Sequence, residues 1–313
     1  MLKLQDIPRI FLEESGLTLK EGVVLSKYSS FRIGGPADYF LEVREPVDLI
    51  KAIQIARHHQ CPFYVIGRGY NLLFDDSGYR GLIIRNLASG IKFEADNYSL
   101  EVCSGTCLSD LLNKAISEGL TGLEFLAGIP GTVGGAVYGN AGAFGQAIGD
   151  RVLEITILGD SGQEIPLTRE ELQFDYRHSA LKNSHKVIVK TRIEVEPISG
   201  NEVRRKIEDY LEQRSKKLPP EGTACAGSFF KNPVHGGKKI PAGQLLEQAG
   251  AKGMKVGQAA VYSGHCNFII NLGGATCLQV LTLAEELKEK VWKHSGIRLE
   301  EEVIFVSATS SML

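Results

Sequence analysis

Hydrophobic and polar positions in the first third of the chain alternate between strand and helix patterns. Strict alternation at Tyr39–Val43 and short apolar runs at Phe63–Gly67 and Gly81–Arg85 predict three strands. Apolar residues at helical spacing predict a helix over Val47–His59. Strands and helices that alternate in this way indicate a small α/β unit.

The middle third begins with a predicted helix and then turns to strands. Ser109 is the expected N-cap of the helix and Gly119 its end. Alternating residues predict strands over residues 151–158 and 186–196, and Thr168 with Glu171 offers a capping box between them.

The last third is richer in predicted helix, and the change in composition near residue 200 is the best candidate for a domain boundary. The predicted elements are, in order, a charged helix over residues 201 to about 217, a short helix within 241–253, a strand and turn over 267–276, a helix capped by Thr276 and ended by Gly296, and a closing strand over 298–306.

One stretch stands out because residues 125–149 contain eight glycines and no charged residue. It is long enough for a membrane span. However, each glycine costs a helix about 1 kcal/mol and proline about 3 kcal/mol, and no basic cluster or aromatic belt flanks it. A strain-relieving loop and a loop that brings backbone N–H groups to phosphate oxygens both stay open on local grounds.

A second glycine pair, Gly67 and Gly69, follows the predicted strand in "VIGRGYNLL". It lacks the third glycine and the acidic residue of a Rossmann fingerprint. Two glycine-rich stretches in one chain, with "SSFRIGGPADYF" upstream, nevertheless favour a dinucleotide ligand.

Composition narrows the partner classes. With 35 Lys+Arg against 37 Asp+Glu, the net charge of −2 gives no global attraction to nucleic acid or to an anionic membrane. The N-terminal residues show no signal peptide. The six cysteines form no C-x-x-C pair and predict reduced thiols in a cytoplasmic protein, and the seven histidines suggest no metal site.

The glycine-rich stretches, taken with later motifs in the same order, resemble the UDP-N-acetylenolpyruvoylglucosamine reductase family. The resemblance covers about residues 25 to 306 and includes "YRHS" (176–179), "AGSFFKNP" (226–233), "AGQLLEQAGAKG" (242–253), "HCNFIIN" (265–271) and "LEEEVIF" (299–305). The short interval between "YRHS" and "AGSFFKNP" is similar to the family's second, shorter type.

The resemblance implies an α+β protein with an FAD-binding fold of the vanillyl-alcohol oxidase (PCMH) type. Two α/β subdomains, expected at residues 1–85 and 86–200, would hold the flavin. A smaller C-terminal α/β domain at 201–298 would cover the substrate, and residues 299–313 would return toward the FAD domain.

The implied activity is NADPH-dependent reduction of the enolpyruvyl group of UDP-N-acetylglucosamine enolpyruvate, with non-covalent FAD, in peptidoglycan precursor synthesis. Another FAD-linked oxidoreductase of the same fold and a non-catalytic nucleotide-sugar or flavin carrier are the alternatives. We expect a nucleotide-sugar partner, no nucleic acid and no membrane insertion. A monomer is compatible with the sequence, which does not fix the oligomeric state.

Three catalytic residues follow from the resemblance. Ser228 would donate the proton, although "GSFF" alone reads as a turn serine. Arg177 would pair with the substrate carboxylate, although alone it reads as a surface cation. Glu302 would be the acidic residue of the closing strand, and the sequence alone does not separate it from Glu300 and Glu301, since runs of charge usually face solvent.

The implied binding residues form two sets. For FAD they are Gly67, Arg68, Gly69, Tyr70, Asn71, Leu72, Gly128, Ile129, Pro130, Gly131, Thr132, Gly134, Gly135, Asn140, Gly142 and Ala143. For the substrate they are Tyr176, Arg214, Lys217, Asn232 and Gln244. Two positions depart from the family, because Tyr70 replaces a usual serine and Ile304 a common basic residue.

Overall fold

The structure, a computed structural model, describes residues 6–216 and 218–312. The α-helices are α1 (Ile7–Ser15), α2 (Pro46–His58), α3 (Leu108–Glu118), α4 (Val133–Gly139), α5 (Gly200–Ser215), α6 (Ala242–Gln248) and α7 (Cys277–Ser295). The strands are β1 (Lys20–Val24), β2 (Pro36–Val43), β3 (Phe63–Ile66), β4 (Leu72–Phe74), β5 (Tyr79–Asn86), β6 (Ile91–Glu94), β7 (Ser99–Cys103), β8 (Leu120–Thr121), β9 (Gly142–Ala143), β10 (Gln146–Ala147), β11 (Val152–Leu158), β12 (Glu164–Thr168), β13 (Val187–Glu194), β14 (Glu196–Pro197), β15 (Val234–His235), β16 (Lys238–Lys239), β17 (Lys255–Val256), β18 (Ala259–Val261), β19 (Ile269–Asn271) and β20 (Ile304–Val306).

The first sheet has the order β1-β2-β5-β3, in which β2, β5 and β3 are parallel and β1 is antiparallel. Central strand β5 is almost wholly buried, as expected for a strand covered on both faces. Helix α2 buries its apolar face against this sheet. Because β3 ends at Ile66, the chain turns at Gly67 at the edge of the sheet.

The second sheet is antiparallel, with the order β12-β11-β13-β7-β6. Its inner face packs against α3, α4 and α5 in one hydrophobic cluster. Val203 and Ile207 of α5 are buried in that cluster. The boundary predicted at residue 201 separates α5 from the core it packs against, so we propose that the second unit extends through α5.

The third unit is built on the small antiparallel sheet β17-β18-β19, which α6 and α7 cover. Its core also takes in Phe31, Ile33 and Leu73 from the first unit. Strand β20 then leaves this unit and pairs in parallel with β4, with Ile304 opposite Leu72. The end of the third unit is thereby fixed beside the first sheet.

The glycine-rich stretch contains helix α4 in addition to turns, which the sequence analysis did not predict. Thr132 caps the helix by accepting a hydrogen bond from the N–H of Gly135. Val133, Ala136 and Val137 are buried in the second cluster, so tertiary packing outweighs poor local propensity. Across the described residues, the structure contains no helix whose length and apolar character suffice to cross a membrane.

Most predicted elements are confirmed, and one cap prediction is wrong. Helix α3 begins two residues earlier than expected, with Cys107 at the N-cap in place of Ser109. Thr168 and Glu171 exchange the hydrogen bonds of a capping box, but only a turn follows them. The predicted closing strand is regular only at β20.

Glu124 links α5 to the second unit through a nearly buried carboxylate. It accepts hydrogen bonds from the Thr121 hydroxyl (2.5 Å) and the Gly122 N–H (2.8 Å), and Lys206 of α5 lies 3.5 Å away. Burial by itself raises the pKa of Glu124, but these hydrogen bonds and the nearby lysine together lower it. A carboxyl with a lowered pKa stabilises the fold above its unfolded pKa and loses that contribution as the pH falls.

We therefore expect Glu124→Gln to lower the free energy of unfolding by about 1–2 kcal/mol near neutral pH. The difference should shrink at acidic pH, because proton uptake by the wild-type carboxylate removes the contribution of its charge. Urea unfolding at both pH values measures this, with Glu118→Gln on the surface of α3 as the control. A cost that does not change with pH would contradict the assigned role of the charge.

Candidate functional site

A large cavity of about 1980 Å³ is lined by residues of all three units. It exceeds the roughly 300–1,000 Å³ of ordinary small-molecule pockets. The lining residues lie in separate segments between Ser30 and Met312. This central cavity has room for more than one ligand.

The turn after β3 forms one wall of the cavity. Gly69 has a positive φ of 73°, and a Cβ there would lie 2.0 Å from the carbonyl oxygen of Tyr28. Only glycine therefore fits, and its own carbonyl accepts a hydrogen bond from Ser30 N–H (3.1 Å). Within the described chain, no group accepts from the N–H groups of Gly69 and Tyr70.

The second glycine-rich stretch forms the facing wall. A Cβ on Gly67 would lie 2.6 Å from the Thr132 hydroxyl, so the two turns touch. A Cβ on Gly131, whose φ is 127°, would meet no atom within 4 Å. The N–H groups of Val133 and Gly134 instead donate to the carbonyls of Thr106 and Ser104, which limits the open backbone to the turn before α4.

Fifteen of the sixteen predicted cofactor residues line the cavity, and Asn140 does not. Its side chain donates to the Asp175 carbonyl (2.8 Å) and accepts from the Gly149 N–H (2.9 Å). Asn140 is buried at the C-cap of α4 with a φ of 45°, a conformation that asparagine tolerates well. It therefore fixes the backbone beside the cavity and does not face a ligand there.

A flavin dinucleotide fits these walls. Open backbone at Gly131 and the N–H groups of Gly69 and Tyr70 allow close approach of a pyrophosphate. Apolar side chains such as Ile129 and Val187 line the cavity, as an aromatic ring system requires.

Arg177 and Glu302 form an ion pair at one end of the cavity, with Nε to Oε1 at 2.5 Å and about a fifth of each side chain exposed. Arg177 also donates to the carbonyl oxygens of Gly142 (3.0 Å) and Asn140 (3.5 Å). Arg177 lies inside the tight turn in which Asp175 and His178 exchange hydrogen bonds, and that turn gives it a positive φ of 53°. These contacts fix the guanidinium direction.

The structure separates the three consecutive glutamates. Glu300 is mostly exposed and pairs with Lys231 (3.1 Å), and Glu301 pairs with Lys288 (2.5 Å). Glu302 alone of the three lines the cavity, and its backbone carbonyl accepts from the Asn71 side chain (3.1 Å). Its placement agrees with the residue chosen from the sequence.

Burial raises the pKa of Glu302, and the nearby charges of Arg177, Lys182 and Lys231 oppose that rise. Burial and the positive charges of Lys231 and Arg177 lower the pKa of Lys182, which Glu302 partly offsets. The site thus couples a carboxyl that binds its proton more tightly to a lysine that holds its proton less tightly.

Ser228 lies half-buried on the cavity wall. The backbone around it is held by the Phe229 N–H, which donates to the Asn267 carbonyl (2.8 Å), and by Glu302 N–H, which donates to the Phe229 carbonyl (2.8 Å). No partner for the Ser228 hydroxyl is found in the part of the chain that the structure describes. Its hydroxyl is therefore available to a ligand in the same cavity as Arg177 and Glu302.

The predicted substrate residues divide into two groups. Arg214 lines the cavity, and its buried Nε has no partner among residues 6–216 and 218–312. Lys217 lies outside the described residues. Tyr176, Asn232 and the exposed Gln244 do not line the cavity.

Tyr176 and Asn232 instead join the second and third units. The Tyr176 hydroxyl accepts from the Asn232 N–H (3.2 Å), and Lys239 lies 3.4 Å from the centre of the tyrosine ring. The Asn232 side chain accepts from the Ala242 N–H (2.9 Å) at the start of α6. These contacts hold the polar groups of Tyr176 and Asn232 between the second and third units, away from the cavity.

The cavity wall also contains polar side chains that were not expected from the sequence, and Lys182 and His265 are two of them. Lys182 donates to the Arg177 carbonyl (2.9 Å), and the His265 ring nitrogen Nδ1 accepts from the Asn267 N–H (3.2 Å). Both stand close to recognised motifs, "YRHS" and "HCNFIIN", and that proximity was the available signal. The described residues contain no cluster of three or more histidine, cysteine, aspartate or glutamate side chains that could hold a metal ion.

Comparison with known proteins finds relatives that match most of the chain. A family model described as "UDP-N-acetylenolpyruvoylglucosamine reductase, C-terminal domain" matches residues 219–306, and one described as "FAD binding domain" matches residues 37–168. Several relatives carry the name UDP-N-acetylenolpyruvoylglucosamine reductase, and two of them illustrate the match. The relative from Solibacter usitatus is 39% identical over 93% of this chain and 97% of its own length. The relative from Lachnoclostridium phytofermentans is 38% identical over 89% and 90%.

A solved structure agrees with these relatives. The crystal structure of UDP-N-acetylenolpyruvylglucosamine reductase from Thermus caldophilus superposes with a TM-score of 0.78 at 31% identity, covering 92% of this chain and 99% of that one. Together with the FAD-binding domain match, it confirms the predicted α+β class with an FAD-binding fold of the vanillyl-alcohol oxidase type.

The ion pair makes a prediction about stability. Arg177→Met leaves the Glu302 carboxyl without its partner, so its pKa should rise further. We expect a loss of about 2–4 kcal/mol in the free energy of unfolding near pH 7.5. A raised carboxyl pKa costs stability as the pH rises through it, so the loss should be smaller at acidic pH, where the carboxyl holds a proton.

Urea unfolding of the flavin-free protein at the two pH values measures this effect. Arg192→Met, which breaks a more exposed pair with Glu154, is the matched control and should cost under about 1 kcal/mol at both. Equal costs for Arg177→Met at the two pH values would show that Glu302 does not depend on Arg177 for its charge.

Proposed function

The chain belongs to the UDP-N-acetylenolpyruvoylglucosamine reductase family, and from that premise we propose that it is an FAD-containing, NADPH-dependent oxidoreductase. Its substrate would be UDP-N-acetylglucosamine enolpyruvate, and its product UDP-N-acetylmuramate, a peptidoglycan precursor. The observation that carries the proposal is the Arg177–Glu302 pair, which lines the same cavity as Ser228 and the two glycine-rich walls.

The residues that would hold FAD are those of the two touching turns, Gly67–Leu72 and Gly128–Thr132. When bound, FAD supplies hydride transfer from NADPH to the terminal carbon of the enolpyruvyl group. The protein's part is to hold both ligands close together, exclude water and deliver a proton.

Ser228 is proposed to deliver that proton to the carbon next to the substrate carboxylate. A serine hydroxyl is a weak acid, so it can act only when it is held beside developing negative charge. Its hydroxyl has no partner among the described residues, and the backbone on its C-terminal side is fixed by two hydrogen bonds. Both features support a donor that is positioned and ready.

Arg177 is proposed to bind the substrate carboxylate and to stabilise charge that spreads onto it. Glu302 would orient the guanidinium through the 2.5 Å contact and share a proton with the acidic group that reaches it. Its raised pKa supports that second role, because a carboxyl that binds protons more tightly can hold one near a carboxylate substrate.

Arg214 and Lys217 are proposed to face the diphosphate of the nucleotide sugar. The unpartnered Nε of Arg214 inside the cavity supports this for Arg214. Tyr176 and Asn232 are proposed as positioning residues that hold the third unit against Arg177. Gln244 is exposed outside the cavity and drops out of the proposed site.

A cytoplasmic setting is part of the proposal. All six cysteines are free thiols, and four of them are buried, as expected for a reducing compartment. A flavin or nucleotide-sugar carrier would need the cavity but not the Arg177–Glu302 pair or the available Ser228 hydroxyl, so the arrangement favours an enzyme.

The proposed activity is tested with the purified holoprotein. We expect a yellow protein whose consumption of NADPH rises several-fold or more when UDP-N-acetylglucosamine enolpyruvate is added. Flavin-free protein is the control and should show no such rise. A protein that cannot take up FAD, or a holoprotein indifferent to the substrate, would overturn the proposal.

The role of Ser228 is tested by rapid-mixing absorbance of the Ser228→Ala holoprotein. Bleaching of the flavin by NADPH should keep its wild-type rate, whereas colour recovery on adding the enolpyruvyl substrate should slow by about 10²- to 10⁴-fold. Ser161→Ala, on an exposed turn, is the control. Recovery at the wild-type rate in Ser228→Ala would remove the serine from the proposed mechanism.

A further inference from the structure

The segment Ser307–Met312, here called the tail segment, covers the free edge of the first sheet. Strand β3 is the last strand of that sheet, so one of its backbone edges has no neighbouring strand. The Met312 N–H donates to the Phe63 carbonyl (2.9 Å), and the Val65 N–H donates to the Met312 sulfur (3.4 Å). The tail segment is therefore tied to β3 by both its backbone and a side chain.

A tight turn directs the chain onto that edge. The Ser307 N–H donates to the Ser310 hydroxyl (3.0 Å), the Ser310 N–H donates to the Ser307 carbonyl (3.2 Å), and Arg80 N–H donates to the Ala308 carbonyl (2.8 Å). The chain thus leaves β20, reverses at Ala308 and runs on to Phe63. The position of Met312 is set by contacts on both sides of the turn.

The tail segment also lines the central cavity. Ser311 and Met312 form part of the wall together with Tyr64, Val65 and the start of β13 at Val187. Met312 packs with Val65 against the apolar cluster that includes Phe63, Val187 and Val189. This end of the cavity combines apolar side chains and a thioether with the polar residues Ser184, His185 and Lys186, which precede Val187.

The turn at Gly67–Gly69 separates this end of the cavity from the end that holds Arg177 and Glu302. Met312 sits beside Phe63 and Val65, two to four residues before Gly67, which is roughly 7–13 Å at the rise of a strand. In the other direction along the chain, Asn71 donates to the carbonyl of Glu302. A dinucleotide with its pyrophosphate at Gly67–Gly69 and its flavin beside Glu302 must extend its second nucleotide toward Met312.

We propose that the tail segment, with Val65 and Val187, forms the purine end of the FAD site and that Met312 contacts the adenine ring. This inference rests on the proposed function. A flat purine suits an apolar slot, and a methionine sulfur is a favourable neighbour for an aromatic ring. Because FMN lacks the adenosine part, Met312 discriminates between FAD and FMN.

The experiment is calorimetric titration of flavin-free protein with FAD and, separately, with FMN. We expect Met312→Ala to raise the Kd for FAD about fivefold to tenfold and to leave the Kd for FMN unchanged. Met312→Leu, which keeps the apolar bulk, should retain most of the FAD affinity. Thr309→Ala, at the exposed tip of the turn, is the control and should match wild type with both flavins.

The outcomes separate this inference from a structural role and from the proposed function. An equal rise in Kd for FAD and FMN, or a fall in the unfolding temperature of the flavin-free protein that accounts for the loss, would show that Met312 only supports β3. An unchanged Kd for FAD in Met312→Ala would overturn the inference while leaving the reductase proposal intact. A wild-type protein that binds neither flavin would contradict the proposed function itself.

Discussion

The pairing of β20 with β4 is the contact on which the site depends. It is three residues long, yet it joins residues that are more than 200 positions apart in the chain, as Ile304 lies opposite Leu72. This pairing holds the third unit against the first, and Glu302 then lies beside Asn71 and Arg177. Without this pairing, the two glycine-rich turns would remain, but Glu302 would lose the contact that holds it beside Asn71 and Arg177.

The charges at the site are held in balance by their burial and by one another. Arg177, Lys182 and Lys231 oppose the effect of burial on Glu302, while Glu302 does the same for Lys182. A site of this kind lowers the stability of the fold, because each charged group loses hydration free energy and recovers only part of it from its partner. A chemical role therefore explains this cluster of charges better than a contribution to stability does.

The sequence was most informative where one periodic pattern decided the element. Strands β2, β3, β5, β11 and β13 and helices α2 and α7 all followed from periodicity and caps. Helix α4 could not be found in this way, since its stability comes from the cluster under it and not from its glycine-rich sequence. Helix α5 was predicted, but its charged surface concealed the two buried side chains that attach it to the second unit.

For the site, the motifs predicted which stretches meet but not which way each side chain faces. Glu300, Glu301 and Glu302 differ in direction because their lysine and arginine partners lie on different elements, which local sequence does not reveal. Tyr176 and Asn232 belong to the expected motifs, yet they form a hydrogen bond with each other where the second and third units meet. Contacts between distant parts of the chain decided each of these cases.

The span of the cavity wall, from Ser30 to Met312, sets an order of events during synthesis. The two larger units can bury their own clusters while the ribosome is still adding the third. Strand β20 cannot pair with β4 until residues 304–306 have left the ribosome, so the ligand site closes only after both glycine-rich turns have been made. A cofactor captured earlier would meet the glycine-rich turns alone, and its full binding would depend on residues that emerge later.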